Sequence, residues 1–295
     1  MSKITVAATQ MACSWNLEDN IEQAVELIRE AATQGAQVVL LQELFETPYF
    51  CIEHNLDYYD LATTVNESQT IQRLAGLARE LSVVIPVSWY ERAGNAYFNS
   101  MAMIDATGEL MGVYRKTHIP EYEGYHEKFY FNHGDTGFRV WDTTYGRIGV
   151  GICWDQWFPE AARCMALQGA EILLYPTAIG SEPNGEVQDS MPHWQNVMCG
   201  HAGANMVGVV ASNRIGSERA KSNDNAITFY GSAFIADHRG EKVQQAGRDG
   251  RQVLLHTFDL EEMRRYRRAW GCFRDRRPEA YRGIGTLDGY LASGL

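Results

Sequence analysis

Three side chains in this sequence have the type and placement to cleave a carbonyl–nitrogen bond: a cysteine, a glutamate and a lysine. Cys153 ends the short apolar run 148–152 in GRIGVGICWDQWFPEAAR, and a helix-like segment, FPEAARCMALQG, follows within a few residues. The cysteine therefore falls at a strand-to-helix turn. Free backbone N–H groups and the helix dipole at such a turn favour a thiolate. A thiolate can attack a carbonyl, and the N–H of Trp154 would face the oxyanion that forms. The same local text would also suit a buried core cysteine, since free cysteines are among the most buried residues.

A cysteine hydrolase also needs a base for the thiol proton and positive charge where the oxyanion develops. Glu43 ends the apolar stretch VVLLQE. A carboxylate at the C-terminal end of a parallel strand stands where open α/β sheets place their ligands. Lys116, in YRKTHIP, lies just past the strand-like segment 110–114. A histidine is the other candidate base, and a Cys–His enzyme would draw on His118, His126 or His201. None of the eight histidines has an informative spacing from Cys153.

The elements that must position these groups repeat. AATQGAQVVLLQE (31–43) resembles MALQGAEILLYPT (165–177). In each, a helix ends at a glycine, Gly35 or Gly169, where a left-handed C-cap is expected, and an apolar strand follows at once. A polar loop, a second helix and another strand come next: SQTIQRLAGLARELS with VVIPVSW, then HWQNVMCGHAGAN with MVGVVAS. Strands alternating with helices predict a parallel-rich α/β sheet with crossovers. Each half then continues into a hairpin with a Gly turn, YFNSMAMID–ATGE–LMGVYRK and TFYGSAFIAD–HRGE–KVQQAG. A last strand and helix lie in QVLLHTFDLEEMRRYRRAW. The reading is a pseudo-symmetric hydrolase domain over 1–270 and an aperiodic tail over 271–295, expected to dock on a neighbouring subunit.

Composition narrows the partners. With 295 residues and 45% of them hydrophobic, the chain can bury a substantial core. Its net charge of −11 makes polyanions poor partners, so neither nucleic acid nor an anionic membrane is expected, whereas a small cation is acceptable. No C-x-x-C or Cys/His zinc spacing occurs, so no metal is expected. MSKITVAATQ lacks the features of a secretory signal, and no apolar run approaches the ~20 residues of a membrane span. A cytoplasmic protein with reduced thiols is expected.

Taken together, LLQELFETPYF around Glu43, YRKTHIP around Lys116 and GVGICWDQWFPEAAR around Cys153 resemble the nitrilase superfamily of carbon–nitrogen hydrolases, over roughly residues 4–285. The resemblance implies a four-layer α-β-β-α sandwich, no cofactor, and a homo-oligomer. It assigns Glu43 as general base, Lys116 as stabiliser of the tetrahedral intermediate and Cys153 as nucleophile. A second glutamate after the lysine motif supports it; Glu127, in YHEKFYF, matches, with Glu121 and Glu123 as neighbouring alternatives. Relatives that act on N-carbamoyl amino acids carry an arginine three residues after the nucleophile, where it can clamp a carboxylate. Here that residue is Gln156, which implies a carbamoylated amine instead. Glu182, in IGSEP, is the candidate for its distal ammonium, and Tyr49, Trp154 and Trp157 are candidates to line its four-carbon chain. The competing expectations are an acid-bearing carbamoyl compound or a simple ω-amide, and a silent binding protein that would lack one of the three catalytic positions. Two departures from the family pattern, PEYEG at 120–124 and Cys199 before GHAGAN, bear on loop shape.

Overall fold

The computed structural model describes residues 2–181 and 189–290. In chain order its first half is β1 (Lys3–Met11), α1 (Leu17–Thr33), β2 (Val38–Leu40), α2 (Gln69–Leu81), β3 (Ile85–Ala93), β4 (Ala96–Ile104) and β5 (Leu110–Arg115). A short helix, α3 (Glu127–Tyr130), leads to β6 (Val140–Asp142), β7 (Arg147–Val150), α4 (Pro159–Leu167), β8 (Ile172–Pro176), α5 (Met191–Asn205) and β9 (Gly208–Arg214). A small hairpin of β10 (Ser217–Arg219) and β11 (Ala226–Thr228) follows. The chain then forms β12 (Phe234–Ala236), β13 (Lys242–Gln245), β14 (Gln252–Asp259) and α6 (Leu260–Trp270).

The main strands follow two six-strand paths with the same plan, joined at one edge where Gln10 and Met11 of β1 pair in parallel with Asn213 and Arg214 of β9. One runs β14-β1-β2-β3-β4-β5, its β2–β3 join made by the Val38–Val84 bridge. The other runs β6-β7-β8-β9-β12-β13. In each, three central strands are parallel and the outer ones antiparallel, so each sheet is more mixed than the sequence pattern implied. The duplicated segments occupy matching places. Gly35 and Gly169 hold φ of +93° and +92°, and each feeds the second parallel strand of its half. A side chain is strained in that region, so glycine ends both helices.

Three apolar layers separate four structural ones. Ile4, Val6, Leu40, Met101 and Met103 of the first sheet face Ile148, Val150, Ile172, Leu174 and Val210 of the second. The opposite face of the first sheet packs on α1 and α2 through Ile28, Leu74, Val39 and Val87. The opposite face of the second packs on α4 and α5 through Met165, Trp194, Met198, Leu173 and Val209. This is the α-β-β-α sandwich. Each fully buried aliphatic contributes about 1.5–3 kcal/mol. Strand ends at one edge of the sandwich are thereby fixed relative to one another, and the candidate residues sit there.

Beyond α6 the tail turns back on its own chain first. Phe273 packs against the α4–α5 layer, with the Arg163 guanidinium 5.0 Å from its ring centre. Further on, Tyr281, Ile284, Leu287 and Tyr290 are exposed. Among the described residues, no helix is long and apolar enough to cross a membrane.

Candidate active site

Cys153 stands where β7 ends and a 3-10 turn, Cys153–Trp157, begins before α4. Its φ is +39°, a left-handed conformation that non-glycine residues adopt at a cost and that thrusts the side chain out of the turn. Asp155 holds this bend. One carboxylate oxygen accepts from the Ile152 N–H at 2.9 Å and the Tyr114 hydroxyl at 2.7 Å. The other accepts from the His118 N–H at 3.0 Å and lies 2.7 Å from His118 Nδ1. The His118 ring is stacked 3.5 Å over Phe158. The cysteine turn is thus tied to the strand end that carries Lys116. His118 is part of this clamp, and His201 Nε2 donates to the Gln156 backbone carbonyl at 2.7 Å. His126 pairs with Glu121. Among the described residues, none of these three histidines hydrogen-bonds the thiol.

Glu43, Lys116 and Glu127 converge as one buried ionic cluster. The Lys116 ammonium lies 2.9 Å from Glu43 Oε1, and 2.9 and 2.6 Å from the two oxygens of Glu127. All three side chains are sealed from solvent. Asn99, on β4, donates to the same Glu43 oxygen at 2.7 Å. The second oxygen, Oε2, has no partner among the described residues, so one basic lone pair set remains available. Lys116 itself is fixed by a crossing loop: the Gly134 N–H donates to the Lys116 carbonyl at 2.9 Å. A Cβ on Gly134 would come within 2.1 Å of the Arg115 carbonyl oxygen, so only glycine allows this approach.

Protonation follows from burial and neighbours. Burial pushes the Cys153 thiol well above its usual range, and Glu43 and Glu127 push it further, against Lys116 and the Ala178 N–H. The thiolate expected from a helix N-terminus is therefore not the resting form; the pocket is too dry and too anionic, and only a short 3-10 turn follows. Burial disfavours the Lys116 ammonium, but Glu127 and Glu43 outweigh it and hold the lysine charged. Glu127 is raised to about 7, burial first, against the lowering by Lys116.

The turn carrying Glu43 is held from behind. Arg214, fully buried at the end of β9, donates to the carbonyls of Glu43 at 3.0 Å, Leu44 at 2.5 Å and Thr47 at 2.9 Å. It also pairs with Glu218 at 3.0 Å, and Glu218 accepts from the Tyr49 N–H at 2.5 Å. Sequence reasoning missed Asn99, Asp155, Arg214 and Glu218. Polar residues inside otherwise apolar strands, as in YFNSMAM and VVASNRIG, were the available signal.

A cavity of about 330 Å³ opens onto the thiol, lined by Glu127, Cys153, Trp154, Gln156 and Trp157 with Tyr122 and Tyr125 opposite. Trp154, Trp157 and Gln156, expected to contact substrate, thus line the cavity that opens onto the thiol. The Gln156 side-chain oxygen Oε1 accepts from Trp194 Nε1 at 2.7 Å, leaving its side-chain nitrogen Nε2 without a partner among the described residues. Tyr49 is not in the lining. Its hydroxyl donates to Glu127 at 2.7 Å and its backbone N–H to Glu218, so it braces the glutamate and is not among the residues lining the cavity. Glu121 and Glu123 are exposed, unlike Glu127. Glu182 lies outside the described residues. A larger cavity of about 640 Å³ lies between α4, α5 and the tail, but it holds none of the convergent catalytic groups.

The carbon–nitrogen hydrolase family pattern matches residues 5–268. The chain belongs to the carbon–nitrogen hydrolase family. An N-carbamoylputrescine amidase of Oryza sativa subsp. japonica is 55% identical over 98% of this chain and 96% of its own. A citrullinase of Francisella tularensis subsp. tularensis is 53% identical over 95% of this chain and 98% of its own. The crystal structure of a carbon–nitrogen hydrolase from Helicobacter pylori G27 superposes with a TM-score of 0.91 at 37% identity, covering 98% of this chain and 100% of that one. The family is thus shared from end to end, and the two named relatives act on different carbamoyl compounds at nearly equal identity.

Proposed function

We propose that this enzyme hydrolyses N-carbamoylputrescine to putrescine, carbon dioxide and ammonia through a covalent Cys153 adduct. Glu43 Oε2 takes the thiol proton as the sulfur attacks the carbamoyl carbon. The oxygen that becomes anionic meets the Lys116 ammonium, which two carboxylates keep charged. The C–N bond breaks, and the leaving nitrogen receives the proton that Glu43 carried. Water then attacks the adduct carbon and gives a proton to Glu43; as the C–S bond breaks, Glu43 returns that proton to the departing sulfur, which restores the thiol and the free carboxylate. The carbamic acid so formed loses carbon dioxide and releases the second nitrogen. Glu127, braced by Tyr49, aims the lysine.

The observation that carries the substrate is the charge of the cavity. Citrulline bears a carboxylate beside its ammonium, and a carboxylate leaving water needs a cationic partner. Among the described lining residues there is no lysine or arginine, His193 is the one basic side chain, and Gln156 stands where an arginine would clamp an acid. The segment 182–188, EPNGEVQ, lies outside the described residues and in sequence holds two glutamates and no basic residue. A substrate ending in an ammonium alone fits this balance, with Glu182 as its proposed partner. The similarity to the rice amidase supports the same reading.

The test is ammonia release from N-carbamoylputrescine, citrulline and N-carbamoyl-β-alanine, with Cys153→Ala as the blank. Release chiefly from carbamoylputrescine, with a raised KM in Glu182→Gln, is expected. Preference for citrulline would overturn the substrate while leaving the chemistry in place. We further propose that the enzyme works in the cytoplasm, consistent with its free cysteines, and as a homo-oligomer joined through the tail face.

A further inference from the structure

We propose that His54, Glu121 and His126 form a binding site for a divalent transition-metal ion, adjoining the hydrolytic centre, and that the bound ion lowers turnover. One ligand atom from each of the three residues lies within 4.8 Å of the other two. The ring centres of His54 and His126 are 4.3 Å apart, and the His54 ring is stacked on Phe129. Glu121 is already oriented: one oxygen lies 2.8 Å from His126 Nδ1, and the other accepts the Lys128 N–H at 3.2 Å. The His126 backbone is pinned by its N–H to the Cys51 carbonyl at 2.8 Å. Both ring nitrogens of His54 are without a protein hydrogen bond among the described residues, and the residue is exposed. Two imidazoles and one carboxylate suit zinc, nickel or copper and leave coordination positions for water; magnesium and calcium prefer all-oxygen sets. Partners held by neighbouring hydrogen bonds and stacking lose little freedom on binding.

The position gives the site its consequence. Glu121 and His126 bracket a tight loop closed by Tyr125 N–H to the Tyr122 carbonyl at 2.8 Å and by the reverse pair at 3.3 Å. Tyr122 and Tyr125 form one wall of the substrate cavity. Glu127 follows His126 directly and holds the Lys116 ammonium. An ion ligated at both ends of the loop, and anchored to His54 on another segment, fastens that wall and the peptide leading into Glu127.

The experiment is calorimetric titration of the full chain with zinc chloride. The protein would carry Cys153→Ala, and Cys164→Ser with Cys272→Ser to remove the two exposed thiols, which line the separate cavity beside the tail. One site is expected, weakened on the order of 100-fold by His54→Asn or by Glu121→Gln, the scale on which losing a supporting group perturbs a metal site. With Cys153 restored, zinc should lower kcat/KM, and His54→Asn should relieve that inhibition while leaving zinc-free activity unchanged. Equal zinc affinity in the parent and both variants would overturn the site, leaving only a surface ion pair. Lost binding with unchanged inhibition would overturn the coupling and place the inhibitory ion at the thiol. The calorimetric arm needs no substrate, so its outcome is independent of the proposed substrate.

Discussion

At the scale of single residues, the site is built around a thiol that the protein keeps protonated until it is needed. Burial and the neighbouring carboxylates raise Cys153, while Lys116 lowers it. Glu43 therefore has two opposed effects: its charge suppresses the thiolate at rest, and its free oxygen accepts the proton during attack. Glu43→Gln separates them. Removing the negative charge should move the pH profile of iodoacetamide alkylation of Cys153 to lower pH, making the thiol more reactive toward a simple electrophile. Turnover should nevertheless fall by about 10²–10⁴-fold, the scale of a lost general base. Lys116→Met should move the alkylation profile to higher pH. If Glu43→Gln left alkylation unmoved and turnover within tenfold of the parent, the assignment of Glu43 as base would fail. A cysteine activated only by its place at a helix start would show no such inversion, so the experiment also distinguishes the two origins of reactivity.

At the scale of elements, the catalytic residues come from three strand ends and the start of α3, and what holds them together is mostly buried polar contact. Arg214 at the end of β9 binds three carbonyls of the Glu43–Thr47 turn and one carboxylate. Arg214→Leu leaves Glu218 charged, buried and unpaired, which costs about 3–5 kcal/mol. Arg214→Leu with Glu218→Leu should recover part of that loss, with a coupling of about 0.5–3 kcal/mol in denaturant unfolding. Activity should stay low in the double variant, because the carbonyls of Glu43 and Leu44 have lost their donor; restored activity with restored stability would show that Arg214 serves folding alone. These contacts explain what was legible beforehand. The αββα plan could be read because Gly35 and Gly169 mark the same helix end twice, and a continuous apolar run follows each. Cys153, Glu43 and Lys116 could be read because each stands at the end of such a run. Asp155, Arg214 and Asn99 could not, because their roles depend on which distant strand ends the fold brings together, and spacing along the chain carries no record of that. The place of Tyr49 is hidden for the same reason: its hydroxyl meets Glu127 and its N–H meets Glu218, both far along the chain.

At the scale of the whole molecule, the sandwich buries its apolar layers well but leaves one face unfinished. Leu167 on α4 and Tyr281 and Ile284 of the tail line one open cavity, all three exposed with Ile284 at 64%, and Leu287 and Tyr290 follow on the same tail, also exposed. Monomeric proteins rarely leave large apolar groups gathered in one region, and doing so marks a contact surface. A second copy is the occupant we propose. The opposing term is charge: each chain carries −11, so two copies repel. That repulsion is screened over about 10 Å at 0.1 M salt, whereas apolar contact is not weakened by salt. Association should therefore tighten as ionic strength rises, the reverse of an interface held by ion pairs. Ile284→Asp with Leu287→Asp should shift sedimentation from oligomer to monomer at micromolar concentration, while circular dichroism and the melting of the monomer stay near the parent's, because both side chains lie outside the folded core. A parent protein that sediments at 33.3 kDa at every salt concentration would remove the proposal. An oligomer that persists in the double aspartate variant would move the interface off the tail and onto another face of the sandwich.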